Sequence, residues 1–142
     1  MKVLIIGYGS AGKRHANILS REKKIKKIFI KTKQNLKSSK KKFFIKSIRN
    51  IDPELIIICS ETSKHHYHCK LVEKNFKKKI ILVEKPIFEK FIKFYPKKNR
   101  FFVTYNMRFH PILNYLKLKI KKSKIFYIES ESSSYLPSWR KN

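Results

Sequence analysis

Short, continuous apolar runs recur along the chain, and most are too brief to be helices. Residues 1–6 (MKVLII) read as a fully buried, parallel strand that stops at Gly7. Residues 10–19 follow with helical character, 27–31 (KIFIK) read as a second strand, and 43–45 as a weak third. Asp52-Pro53 breaks the chain before 55–59 (LIIIC), the strongest strand signal of the sequence. Across residues 62–76, His66, Cys69, Val72, Glu73 and Phe76 recur at three- and four-residue spacings, which predicts a helix. Strands are also predicted at 80–83 (IILV), ended by Pro86, and at 101–105 (FFVTY). The connection between those two is short, with space for only a clipped helix. Residues 111–119 read as a helix, and 124–131 alternate as a strand with one exposed face should.

Strands alternating with helices at this spacing predict an α/β fold with a doubly wound parallel sheet. No internal repeat, Pro- or Ser-rich linker or low-complexity tail interrupts it. All three glycines of the chain fall in the stretch Gly7-Tyr8-Gly9-Ser10-Ala11-Gly12, directly after the first strand and at the start of the first helix. GxGxxG in that setting makes the sheet Rossmann-type. The three glycines allow a tight turn, a close backbone approach to a pyrophosphate and close helix–strand contact, while the helix N-terminus offers free N–H groups to phosphate oxygens. The acid that would bond the ribose 2′-hydroxyl some 20 residues later is missing: no Asp or Glu occurs between Glu22 and Asp52. Strand two ends instead in Lys31-Thr32-Lys33, whose cations and hydroxyl suit a 2′-phosphate. The expected cofactor is therefore NAD(P), with NADP favoured over NAD, and Lys31 and Thr32 join the glycine loop as candidate cofactor contacts.

Composition changes this picture only at the margins. The 142 residues are 42% hydrophobic and 13% aromatic, enough for a packed core and against a disordered chain. No apolar run reaches the roughly 18 residues of a membrane span, and the first residues lack a secretory layout, so no membrane partner is expected. Cys59 and Cys69 have neither paired nor metal-type spacing, which fits a reducing, cytoplasmic setting. Lys plus Arg number 36 against 9 Asp plus Glu, a net charge of +27. That charge alone would suggest a nucleic-acid binder. Lysines sit in every segment, however, and Lys, Ile, Phe and Asn are the residues that AT-rich codons encode, so only non-specific, salt-sensitive sticking to nucleic acid is expected.

Three further motifs follow in order: Cys59-Ser60-Glu61-Thr62-Ser63-Lys64-His65, Glu84-Lys85-Pro86 and Tyr105-Asn106-Met107-Arg108-Phe109, each after a predicted strand. With the glycine loop, this order resembles the glucose–fructose oxidoreductase and inositol dehydrogenase (Gfo/Idh/MocA) family over nearly the whole chain. The resemblance implies an NAD(P)-dependent oxidoreductase that moves hydride to or from a carbinol of a sugar or nucleotide-sugar. It puts Lys85 beside the nicotinamide and the substrate hydroxyl, as the catalytic residue. It puts Cys59, Ser60, His65 and Glu84 near the cofactor, and brings Arg108, Trp139 and Arg140 within reach of it. It also implies an NAD(P)-binding domain at 1–106 and the beginning of a substrate domain at 107–142. The family's large antiparallel sheet, substrate pocket and proton-transferring Asp and His would then lie beyond Asn142. A truncated chain of this kind, with open sheet edges, invites homo-oligomer formation.

Two other readings stay open: a basic nucleic-acid-binding module, which predicts a concentrated basic face, and a dinucleotide-binding pseudoenzyme without turnover. His65, His66 and His68 with Cys59 or Cys69 could suggest zinc, but no second Cys/His pair stands at matching spacing, and no metal site is expected.

Overall fold

A computed structural model describes residues 1–121 and 123–131. Two compact units divide at Tyr105 and Asn106. The first holds strands β1 (Lys2–Ile6), β2 (Lys27–Lys31), β3 (Lys42–Ile45), β4 (Leu55–Ile58), β5 (Ile80–Val83) and β6 (Arg100–Val103), with helices α1 (Ser10–Arg21) and α2 (His65–Asn75). All six strands are parallel, in the order β3-β2-β1-β4-β5-β6. This is the doubly wound Rossmann-type sheet that the apolar runs predict. The strand order reverses between β1 and β4, where open α/β sheets hold their ligands.

The apolar runs pack both faces of the sheet, which is why they are continuous rather than alternating. Leu4, Ile6, Ile56, Ile58, Ile81 and Val83 point to one side with Cys69, Val72 and Phe76 of the α2 segment. Val3, Ile5, Ile28, Ile30 and Ile57 point to the other with Ala16 of α1.

Two stretches of the first unit depart from the pattern reading. The predicted helix at 62–76 is divided into a 3-10 turn at Thr62–Lys64 and α2. Between β5 and β6 there is no helix, even a clipped one; an irregular loop does the covering. Its Phe88 and Phe94 stack edge-on with each other and with His66, Phe94 also stacks on Phe101, and both pack on the core. That segment holds enough aromatic surface to shield the sheet without helical backbone bonds.

The loop is anchored at its far end by Glu73 on α2. Its carboxylate accepts the backbone N–H groups of Lys97 (2.8 Å) and Lys98 (2.6 Å) and the Asn99 amide (2.8 Å). Buried Asn99 also donates to Phe76 O and accepts from Lys79 N–H. Burial alone would raise the Glu73 carboxyl, but these bonds, with the charge of Lys98, outweigh it and hold it below its ordinary value of 4.5. The stability it contributes is therefore present above pH 4.5 and is lost as pH falls through the depressed folded value. Glu73→Gln is expected to cost about 1–2 kcal/mol at neutral pH. Urea midpoints of the two proteins should converge on acidification; a gap that persists at low pH would contradict the account.

The second unit contains a 3-10 turn at Asn106–Phe109 and helix α3 (Pro111–Ile120), with Pro111 at its first turn, where a missing N–H costs nothing. The strand expected at 124–131 is not formed: these residues carry no regular structure. Alternation alone does not make a strand, because its N–H and C=O groups need a neighbour, and among the described residues none pairs with it. No helix among the described residues is long and apolar enough to cross a membrane.

Candidate functional site

The C-terminal ends of β1, β2, β4 and β5 open onto a cleft of about 690 Å³. Its lining includes Gly7, Tyr8, Gly9, Ser10, Ala11, Lys31, Thr32, Cys59, Ser60, His65, Glu84 and Lys85, so the parallel topology gathers these sequence candidates at one edge. Gly12 lies behind them. Arg108 belongs to the second unit, and Trp139 and Arg140 lie outside the described residues.

The three glycines have different physical reasons. Gly7 has φ +98°, and a Cβ there would come within 2.6 Å of Ser60 N and 2.7 Å of Cys59 C and O. A Cβ on Gly12 would collide with the Gly7 carbonyl oxygen. Both are dictated by the protein's own packing. Gly9 has φ −76°, open to any residue, and a Cβ built on it meets nothing within 4 Å. It sits as the N-cap of α1, whose first turn holds no acid, so the helix presents its positive end and unpaired N–H groups to the cleft.

At the β2 end, Lys31, Thr32 and Lys33 are joined by Lys46, just past β3. The Lys46 ammonium donates to the carbonyls of Lys33 (2.9 Å) and Gln34 (3.2 Å) and to Asn35 Oδ1 (2.9 Å), fixing the loop that carries Lys33. Lys31 Nζ donates to Lys46 O at 3.1 Å, and Gln34 N–H to Thr32 Oγ1 at 3.2 Å. Lys64 is paired with Glu61 on the other rim. Sequence reading missed Lys46 because its link to Lys31 exists only through the pairing of β2 with β3.

His65 is buried, 1% exposed, and borders the cleft from beneath. Its Nε2 lies 2.9 Å from Ser60 O, and its Nδ1 lies 3.0 and 3.1 Å from Pro86 O and Ile87 O. The ring thus ties the loop after β4 to the turn after β5. His68 Nδ1 is hydrogen-bonded to Ser60 Oγ at 2.8 Å; burial, then the charges of Lys31, His65 and Lys64, pushes His68 down to about 4. His66 faces Phe88 and Phe94 instead. The three neighbouring histidines therefore diverge. Burial, with the Glu84 charge, pushes the Cys59 thiol up to about 12, leaving it a neutral wall of the cleft.

Glu84 is held from two sides: its carboxylate meets His15 Nε2 of α1 at 2.7 Å and accepts the Thr104 hydroxyl at 3.0 Å. Burial alone would raise it, but the bonds from His15 and Thr104 and the His15 charge prevail and keep it low. The glycine-loop helix, the end of β6 and the Glu84-Lys85-Pro86 turn are thereby joined. Lys85 is exposed at the cleft rim, and its bond to Pro86 is cis. His15 could have been noticed as lying one turn beyond the last glycine; Thr104 had no signal in the sequence.

A parallel sheet with a cation-rimmed cleft and a glycine-floored helix start defines a dinucleotide-binding Rossmann domain. The family described as "Oxidoreductase family, NAD-binding Rossmann fold" (GFO_IDH_MocA) matches residues 1–93, and the chain belongs to that family. Among solved structures, it is similar to scyllo-inositol dehydrogenase of Lactobacillus casei with bound NAD(H) and scyllo-inositol: TM-score 0.61, 18% identity, covering 89% of this chain and 42% of that one. The apo form of that enzyme gives TM-score 0.62 at 18% identity, covering 89% and 43%. The chain thus spans about two-fifths of the length of those chains. No curated protein sequence matches it.

Proposed function

We propose that the cleft binds NADPH in preference to NADH, and that the chain is the cofactor-binding part of an oxidoreductase acting on a sugar or nucleotide-sugar carbinol. The observation that carries the reading is Gly9. In a chain with only three glycines, it is the one whose missing side chain nothing inside the fold explains. A ligand backbone passing close over the α1 N-terminus does explain it. Lys31, Thr32 and Lys33, with the loop braced by Lys46, supply cations and a hydroxyl where an NAD-selective site would hold an acid.

A nicotinamide cofactor bound in the cleft would supply or accept hydride. Lys85 orients the substrate hydroxyl and exchanges its proton. Glu84, pinned by His15 and Thr104, sets where the Lys85 backbone begins. His65 acts through the two loops it joins, while Ser60 and Cys59 form the cleft wall. Residues 107–142, which include the candidates Arg108, Trp139 and Arg140, are taken as the opening of the substrate domain. The scyllo-inositol seen in the similar structure supports a polyhydroxylated substrate class, and the free cysteines suit a cytoplasmic setting.

Titration of the full chain with NADPH and NADH, followed by nicotinamide fluorescence, tests this. Binding of NADPH about tenfold tighter than NADH, or about 1.4 kcal/mol, is expected. Equal affinities would remove the NADP preference. No binding of either, in protein shown folded by circular dichroism, would remove the cofactor reading.

A further inference from the structure

The lysines that look scattered along the sequence are brought into a row by the fold. Because every strand is parallel, all six begin at the edge opposite the cleft. Read across the sheet from β3 to β6, the residues at or just before the strand starts are Lys42, Lys27, Lys2, Glu54, Lys79 and Arg100. Strands lie about 4.8 Å apart, so the row is roughly 24 Å long.

Glu22, Asp52, Glu54 and Glu73 lie at this end of the sheet, and three of the four are engaged. Glu54 accepts the backbone N–H of Lys2, Asp52 is paired with Lys79, and the Glu73 carboxylate is taken up by the loop before β6. Exposed Lys26 and Lys98 flank the row, and neither ammonium nor the Arg100 guanidinium makes a hydrogen bond or ion pair among the described residues. The row therefore holds five cations and one carboxylate, with Asp52 balancing Lys79, and remains net positive. No aromatic side chain stands at these six positions, so the line offers nothing on which bases could stack, as a single-strand binder needs. It offers charges at regular intervals, long enough to reach phosphates on both sides of a major groove about 12 Å wide.

We propose that this strand-start edge is a second binding surface, one that takes double-stranded nucleic acid through its phosphates without reading sequence. The strands are four to five residues long, which puts the edge roughly 15 Å from the cleft. Duplex and dinucleotide therefore bind independently, and the surface does not depend on what the cleft holds.

The test uses the full chain and a fluorescein-labelled DNA duplex of about 20 base pairs, with affinity measured across a salt series. Replacing Lys26, Lys98 and Arg100 together by Gln is expected to weaken binding at least tenfold and to lower the slope of log K against log salt by about 2–3. A control with the same charge change, Lys37, Lys70 and Lys90 to Gln, keeps the slope within about 1 of the parent. Circular dichroism melts of both variants establish that they fold. Equal losses in the two triples would overturn the proposal, because the charge would then act diffusely rather than from this edge. Displacement of the duplex by saturating NADPH would overturn it as well, since the duplex would then be seated in the cleft. A parent chain that shows no salt-dependent duplex binding would end it.

Discussion

Replacing Gly9 by Trp is expected to lower NADPH affinity by at least 100-fold, about 2.7 kcal/mol, while leaving the melting temperature within a few degrees of the parent. The separation of the two effects follows from the geometry. Gly9 has an ordinary φ and open space where its Cβ would stand, so the folded chain accepts a side chain there. That same space, over the N–H groups of α1, is what a pyrophosphate needs. Gly7 and Gly12 behave differently. Alanine at Gly7 would be forced to φ +98° and into the Ser60 and Cys59 backbone; alanine at Gly12 would strike the Gly7 carbonyl. Those substitutions lose stability and binding together. Fluorescence titration beside thermal denaturation distinguishes the cases. If Gly9→Trp unfolded the protein, or bound NADPH normally, the cofactor path over Gly9 would be wrong.

His65→Leu is expected to destabilise the first unit by about 2–4 kcal/mol, seen as a fall of roughly 10 °C in melting temperature. Leucine fills much of the space but donates nothing, so the carbonyl that accepts the ring N–H, Ser60 O on one side or Pro86 O and Ile87 O on the other, loses its donor. A buried acceptor left without its donor costs more than the bond contributed. NADPH binding should weaken as a consequence, because both loops border the cleft. The converse result, an unchanged melting temperature with binding lost, would mean that the ring itself touches the cofactor. His68→Leu serves as a comparison: its ring meets a single side-chain hydroxyl, and the loss should be near 1 kcal/mol.

Much of the sheet was legible in the sequence because burial on both faces leaves a local trace. The run 55–59 needed no partner to be recognised, and β4 is observed at Leu55–Ile58 with the Cys59 N–H still bonded to Ile6 O. The glycine loop was legible for a similar reason: a strand, three glycines at fixed spacing and a helix occupy one short segment. Residues 124–131 show the limit of such reasoning. Their alternation resembles that of a half-buried strand, yet pairing is a relation between two segments, and no periodicity within one of them reveals its partner. The aromatic loop between β5 and β6 makes the same point, since Phe88 and Phe94 cover the sheet without helical spacing.

The sequence by itself determined the parallel α/β class, the place of the glycine turn, and the absence of an acid after β2. These depend on neighbours within a few residues. Only the tertiary structure decided that Lys46 braces the loop beside Lys31, that His15 and Thr104 grip Glu84, and that lysines far apart in the chain stand in a row at the strand starts. Each of those is a contact or alignment across tens of residues. Such relations are fixed by strand order and register, which bring together side chains that the linear pattern leaves unrelated.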